Sequence, residues 1–172
     1  MTGNTHVIGG VTVAAACMAV QQPIPDMSES PVMNVIFQGA WVACCVFGSL
    51  LPDIDQPTAT LGRRLGPVSV FINKVCGHRN FFHSLLFLGL IYLTFYFLLP
   101  AYTWAGIGIF LGGMSHLILD ALNHTGVALF WPIKKKFSVA SIELHSLEEL
   151  VVNMMLGLGL LYSLYVMYCS VR

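Results

Sequence analysis

Five apolar runs divide this chain, at residues 7–20, 35–51, 84–99, 101–119 and 150–169. About 20 apolar residues are needed for a helix to cross the ~30 Å hydrocarbon core, and the second of these runs lies at the low end of that length. In lipid every backbone N–H and C=O must be satisfied within the protein, so the runs are read as helices. Of the 172 residues, 56% are hydrophobic and 9% charged, with a mean hydropathy of +0.77. A soluble domain carries about 25% charged residues, so the solvent for most of this chain is lipid. The expected fold is all-α: a polytopic membrane bundle of about five transmembrane helices, forming one membrane-embedded domain over residues 1–172. The net charge is zero, so no basic field argues for a nucleic-acid partner.

Taken in order, the first run is expected to span from His6 to about Gln22, with Gly9 and Gly10 permitting close helix contact. It has the length of a signal-peptide core, but no Lys or Arg precedes it. Pro23, Pro25 and Pro31 break the chain before the second run. Residues 67–76 read as an interfacial, partly amphipathic segment rather than a span. Pro100 marks a tight turn between the third and fourth runs, and Gly106, Gly108, Gly112 and Gly113 are expected close-packing points. Residues 121–149 form a polar loop. The five cysteines, Cys17, Cys44, Cys45, Cys76 and Cys169, include no C-x-x-C pair and read as small packing residues.

Threading five spans up and down places Arg63, Arg64, Lys74, Arg79, Lys134, Lys135 and Lys136 on one face. The other face receives Asp26, Glu29 and, of the bases, Arg172. This bias marks the face that holds the amino terminus as cytoplasmic. The same threading gathers the unusual polar residues there. His6 opens the first span, Asp53 and Asp55 close the second, and His78 and His83 open the third. His116 and Asp120 close the fourth, and Glu148 and Glu149 open the fifth. Ionisable groups near lipid are costly and persist when paired, metal-bound or working.

His116 and Asp120, four apart on a helix, share one face and can ligate one ion. Asp53 and Asp55 offer hard oxygen ligands, and His83, His6 and His78 offer nitrogen. Imidazoles mixed with carboxylates suit Zn, Mn or Fe, and the set is large enough for one or two divalent ions. Arg79 is suited to holding an anionic substrate group. Singly, each cluster is a helix cap or a turn as readily as a ligand set. The three lysines at 134–136 set topology or meet headgroups, and His124 and His145 read as loop histidines.

At these residues the chain resembles the YdjM-type membrane-bound metal-dependent hydrolases, a bacterial inner-membrane family. The matching blocks are Thr5-His6, Leu51-Pro52-Asp53-Ile54-Asp55 with Pro57 and Leu61-Gly62, and Gly77-His78-Arg79 through His83-Ser84-Leu85-Leu86. Ser115-His116-Leu117 with Asp120, and Gly126-Val127 leading to Leu129-Phe130-Trp131-Pro132, complete the set. The resemblance implies a helical inner-membrane protein and metal-dependent hydrolysis. It implies His6, Asp53, Asp55, His83, His116 and Asp120 as ligands, with His78 and Arg79 as ligand or substrate contacts. Phe82 stands where the family often has Thr, and Gln56 where a histidine is common. If that histidine binds metal, this chain has one ligand fewer.

The function these features suggest is metal-dependent hydrolysis at the cytoplasmic face. Membrane lipids are the expected partners and a lipid or amphiphilic phosphoester the expected substrate. Asp55 or His78 would take the proton from water, and Arg79 would hold the anion. A non-catalytic, metal-stabilised lipid-binding or interaction protein is the alternative. A metal-ion transporter would need more polar residues deep in the spans than Gln38, Thr94 and Asn153.

Overall fold

The computed structural model describes residues 1–20, 30–77, 79–133, 135–143 and 145–170. The expectations placed on Pro23, Pro25, Asp26, Glu29, His78, Lys134 and Arg172 fall outside them. The described residues form helices α1 (Gly3–Ala19), α2 (Pro31–Leu50), α3 (Thr60–Leu65), α4 (Pro67–Cys76), α5 (Leu85–Leu98), α6 (Thr103–Ala121) and α7 (Leu147–Ser170). Tight 3-10 turns at Leu51–Asp55, Phe81–His83 and Pro100–Tyr102 join them. The chain is an all-helical membrane protein.

Local chemistry sets the helix ends. Thr2 caps α1 by accepting from Thr5 N at 3.4 Å, so α1 starts at Gly3, three residues before the expected His6. Ser84 caps α5 by accepting from Phe87 N at 3.2 Å. Pro31 and Pro67 sit at helix starts, where the missing N–H costs nothing. Three segments are long and apolar enough to cross a membrane: Pro31–Asp55, Pro100–Ala121 and Leu147–Ser170. Helix α1 has 17 residues and α5 has 14. At 1.5 Å per residue α5 reaches only about 21 Å, because Ser84 and Pro100 confine it. The five apolar runs therefore become three full-length helices and two shorter ones.

Helix α6 lies at the centre, against α1, α2 and α5, while α1 also packs against α2 and α7. Glycines permit the close approach. A Cβ on Gly112 would collide with the Cys45 carbonyl of α2, and one on Gly48 with the Ile109 carbonyl of α6. On the other side of α6, Gly106 lies under Phe95 and Gly113 under Leu88, both of α5. All four glycines expected as packing points in the fourth run are used in this way, Gly108 meeting Cys44 and Trp41. Gly9 and Gly10 of α1 likewise face Ser115 and Leu119 of α6 and Ser49 of α2. Ala14, Trp41 and Cys45 form a buried core between α1 and α2, and the Trp41 indole donates to the Ala14 carbonyl at 3.3 Å. The described cysteines Cys17, Cys44, Cys45 and Cys169 are free thiols.

The segment between α6 and α7 is less polar in its folding than in its composition. Val127 and Ala128 are fully buried. Val127 and Phe137 exchange backbone hydrogen bonds at 3.0 and 2.9 Å, and Leu85 N donates to the Leu129 carbonyl at 3.0 Å. Phe81 meets Trp131 edge to face at 5.1 Å. This loop braces the start of α5 and with it the turn that carries His83.

Candidate metal centre

Four elements bring their polar residues to one end of the bundle. The turn after α2 carries Asp53 and Asp55, the turn before α5 carries His83, the end of α6 carries His116 and Asp120, and α1 carries His6. His6, Asp55, His83, His116 and Asp120 are at most 1% exposed. Asp53 is the more open, its side chain 15% exposed.

The atoms that converge are Nε2 of His83, Nε2 of His116, Oδ1 of Asp53 and Oδ2 of Asp120. The two nitrogens are 3.3 Å apart. Asp53 Oδ1 lies 3.6 Å from His83 Nε2 and 3.8 Å from His116 Nε2. Asp120 Oδ2 lies 3.7 Å from each of those nitrogens. A tetrahedral ion with nitrogen and oxygen ligands at about 2.0–2.2 Å has ligand–ligand edges of about 3.3–3.5 Å. The five separations of 3.3–3.8 Å are close to such edges, so each carboxylate lies at ligand spacing from both imidazoles. Among these, His83, His116 and Asp120 form a group that could hold a metal ion.

The ligand-facing atoms are set from behind. His116 Nδ1 is 2.7 Å from the Ser49 carbonyl, an acceptor only, so the ring carries its proton there. Its Nε2 lone pair then faces the cluster, as in metal-binding histidines. His83 Nδ1 faces Asp55 Oδ2 at 3.5 Å. Asp55 Oδ2 therefore stands behind His83, on the side of its Nδ1. Asp55 Oδ2 also accepts from Arg79 N at 3.3 Å, and the Asp55 carbonyl accepts from the Asn73 amide at 2.6 Å. Burial pushes the His83 imidazole down, but its contacts with Asp53 and Asp55 and the charges of Asp55 and Asp120 outweigh that and lift it to about 9.

His6 stacks on His116 with ring centroids 3.8 Å apart and places Nε2 3.4 Å from Asp120 Oδ1. His6, Asp53 and His116 form a second group able to hold an ion, overlapping the first. The buried His6 Nδ1 has no hydrogen-bond partner among the described residues. An orphaned buried polar atom costs about 1–3 kcal/mol, a penalty that ligation removes. The donor chemistry and its spacings fit a divalent cation.

Arg79 is held against Asp120, Nη2 to Oδ2 at 3.0 Å, with its side chain 12% exposed. Its φ of 61° lies in the left-handed region, an arrangement that costs a non-glycine residue and persists where surrounding contacts impose it. Arg63 and Arg64 are exposed on α3. His124 and His145 are exposed, as loop histidines are.

Sequence reasoning did not assign a role to Glu149. Its Oε1 accepts from Thr2 N at 2.6 Å and Thr5 Oγ1 at 2.7 Å, and Oε2 from His145 N at 2.7 Å. Glu149 is buried and Glu148 is exposed. An acidic residue at the head of an apolar helix was the available signal; Thr5 one residue from His6 was its partner.

A family model described as YdjM inner membrane protein matches residues 1–171. The chain belongs to that family. Two YdjM inner membrane proteins, from Escherichia coli (strain K12) and Shigella flexneri, are each 40% identical to it over 145 residues. The alignment covers 80% of this chain and 68% of theirs. An uncharacterized protein, YvsG of Bacillus subtilis (strain 168), is 33% identical over 132 residues, covering 77% of this chain and 74% of its own. No solved structure matches. Membership of the YdjM family together with the apolar helices makes this an inner-membrane protein.

Proposed function

We propose that this YdjM-family chain is a metal-dependent hydrolase of the cytoplasmic membrane face, acting on a lipid or amphiphilic phosphoester. The observation that carries the reading is the three-donor group of His83, His116 and Asp120, with Asp53 at ligand spacing on its open side and Arg79 beside it. When bound, a divalent ion of the Zn, Mn or Fe type supplies Lewis acidity and acidifies water. Asp53 is the carboxylate of the cluster that solvent reaches, so it is placed to accept a proton from an attacking water. Arg79, also partly open, orients the anionic group of the substrate. His6 and His116 stack, both buried, beside the more open Asp53. Cytoplasmic orientation is supported by the seven basic residues that up-and-down threading of the sequence assigns to the face of the site.

A second reading is supported by the burial of His6, His83, His116 and Asp120. A site closed by protein donors is structural, whereas a catalytic one keeps a position for water. On that reading the chain is a metal-stabilised lipid-binding protein. Metal analysis of detergent-purified wild type beside Asp53→Ala and His116→Ala is the first test. One or two ions per chain, lost in both variants, with turnover of a phosphatidyl ester by wild type, support the hydrolase. Bound metal without turnover across lipid phosphoesters supports the structural role. No bound metal in folded wild type overturns both.

A further inference from the structure

Helix α4 is fixed on one side and bare on the other. Ser69 is fully buried and Asn73, one turn on, donates to the Asp55 carbonyl at 2.6 Å. These residues seat α4 on the turn Leu51–Asp55, where α2 ends. Val68, Phe71 and Val75, at i, i+3 and i+7, share the opposite face and are 55%, 68% and 66% exposed. Ordinary surface helices do not leave such a face open to water. Its height decides what covers it. A helix anchored to the end of a membrane-crossing helix lies at headgroup depth, where an apolar face of this width sinks into the acyl boundary.

Charge narrows the partner. Residues 56–80 contain Arg63, Arg64, Lys74 and Arg79 and no Asp or Glu. Arg63, Arg64 and Lys74 are exposed, and Lys74 lies beside the apolar face, where its stem can pass along lipid and its ammonium reach a phosphate. From these observations we infer that α3 and α4 form a membrane-surface platform that binds anionic phospholipid headgroups. Val68, Phe71 and Val75 enter the bilayer, and Arg63, Arg64 and Lys74 gather the phosphates. The platform stands independently of any catalysis: it requires the seating of α4 and the charge pattern, not the metal.

The test uses the full chain in phosphatidylcholine nanodiscs with Phe71→Trp as a probe, its emission taken as the difference from wild type. Brominated phosphatidylglycerol or brominated phosphatidylcholine is added as a minor guest lipid. Both are expected to quench the introduced indole. The anionic guest is expected to quench as if enriched at least about threefold, since each basic residue near the surface adds appreciable attraction. In Arg63→Gln/Arg64→Gln/Lys74→Gln the preference should vanish while quenching by both lipids remains. Absence of quenching by either lipid places the face against protein or water and overturns the inference. Equal quenching by the two guests in the presence of all three bases overturns headgroup recognition.

Discussion

His83 and His116 turn their Nε2 atoms toward each other at 3.3 Å across the gap between the turn before α5 and helix α6. Neither ring is free to turn away, because Asp55 stands behind one and the Ser49 carbonyl behind the other. With Asp120 the two imidazoles make a group of donors that could hold a cation.

Removal of the ion should therefore destabilise the whole bundle, since the donors come from α1, α6 and the turns flanking α2 and α5. Chelation is expected to lower the thermal unfolding midpoint in detergent by several degrees, with recovery on adding back Zn, Mn or Fe. Ligand at a thousandfold its Kd contributes about 4 kcal/mol. An unchanged midpoint in protein shown to have lost its metal would count against a shared ion.

The position of Asp55 behind His83 separates it from Asp53. Asp55→Asn should keep the metal stoichiometry and weaken affinity by about 10–100-fold, as loss of an orienting partner does. Asp53→Ala should reduce the stoichiometry itself. Competition titration against a chromophoric chelator distinguishes them, and equal loss in both variants would make Asp55 a direct ligand.

The His83 imidazole, lifted to about 9, carries a proton in the metal-free chain at neutral pH. Ligation must displace that proton. Apparent metal affinity should rise about tenfold per pH unit up to about 9 and then level off. In the metal-free protein the sign reverses. The raised value makes a stabilising contribution that is full below the unfolded value near 6.5 and is lost as pH rises through about 9. Calorimetric titration in buffers of different ionisation enthalpy reads the released proton directly.

Glu149 accepts three hydrogen bonds, two of them from the start of α1. Glu149→Gln leaves one oxygen and turns an amide donor toward another donor. A loss of about 1–3 kcal/mol is expected, seen as a lower unfolding midpoint with metal content retained when folded. Glu148→Gln, at an exposed position, should leave the midpoint in place.

Gly112 and Gly48 set the spacing of α2 and α6, the helices that hold Asp53 and His116. Gly112→Ala drives a methyl into the Cys45 carbonyl. Overpacking of this kind costs about 1–3 kcal/mol, and the displaced pair should also bind metal more weakly. Gly39→Ala, where a Cβ meets nothing within 4 Å, is the matched control.

Much of this was legible in the sequence because lipid punishes misplaced charge. Helices α2, α6 and α7 follow directly from apolar length, and α4 from its mixed pattern between Pro67 and Gly77. The convergence of His6, Asp53, His83, His116 and Asp120 followed from threading alone, since each sits at a helix end. Three features were hidden. A backbone carbonyl such as that of Ser49 has no sequence signature, and only the crossing of α2 with α6 brings it to His116. Whether a carboxylate faces an ion or stands behind its ligand depends on the turn it occupies, so Asp53 and Asp55 could not be told apart. The shortness of α5 was concealed by Leu99, apolar but outside the helix.

The donors of the cluster are dispersed from residue 6 to residue 120. A nascent chain that has completed α5 has His6, Asp53, Asp55 and His83 at the membrane but neither His116 nor Asp120 to join them. His83 then has Asp53 and Asp55 as partners, but the cluster lacks the donors of α6, and incompletely matched ionisable groups are expensive there. Assembly therefore runs against a penalty until the fourth apolar helix arrives and slides its glycines between α2 and α5. The same donors thus tie the placement of α6 to that of α1, α2 and α5, because the buried groups of the cluster meet partners on other elements.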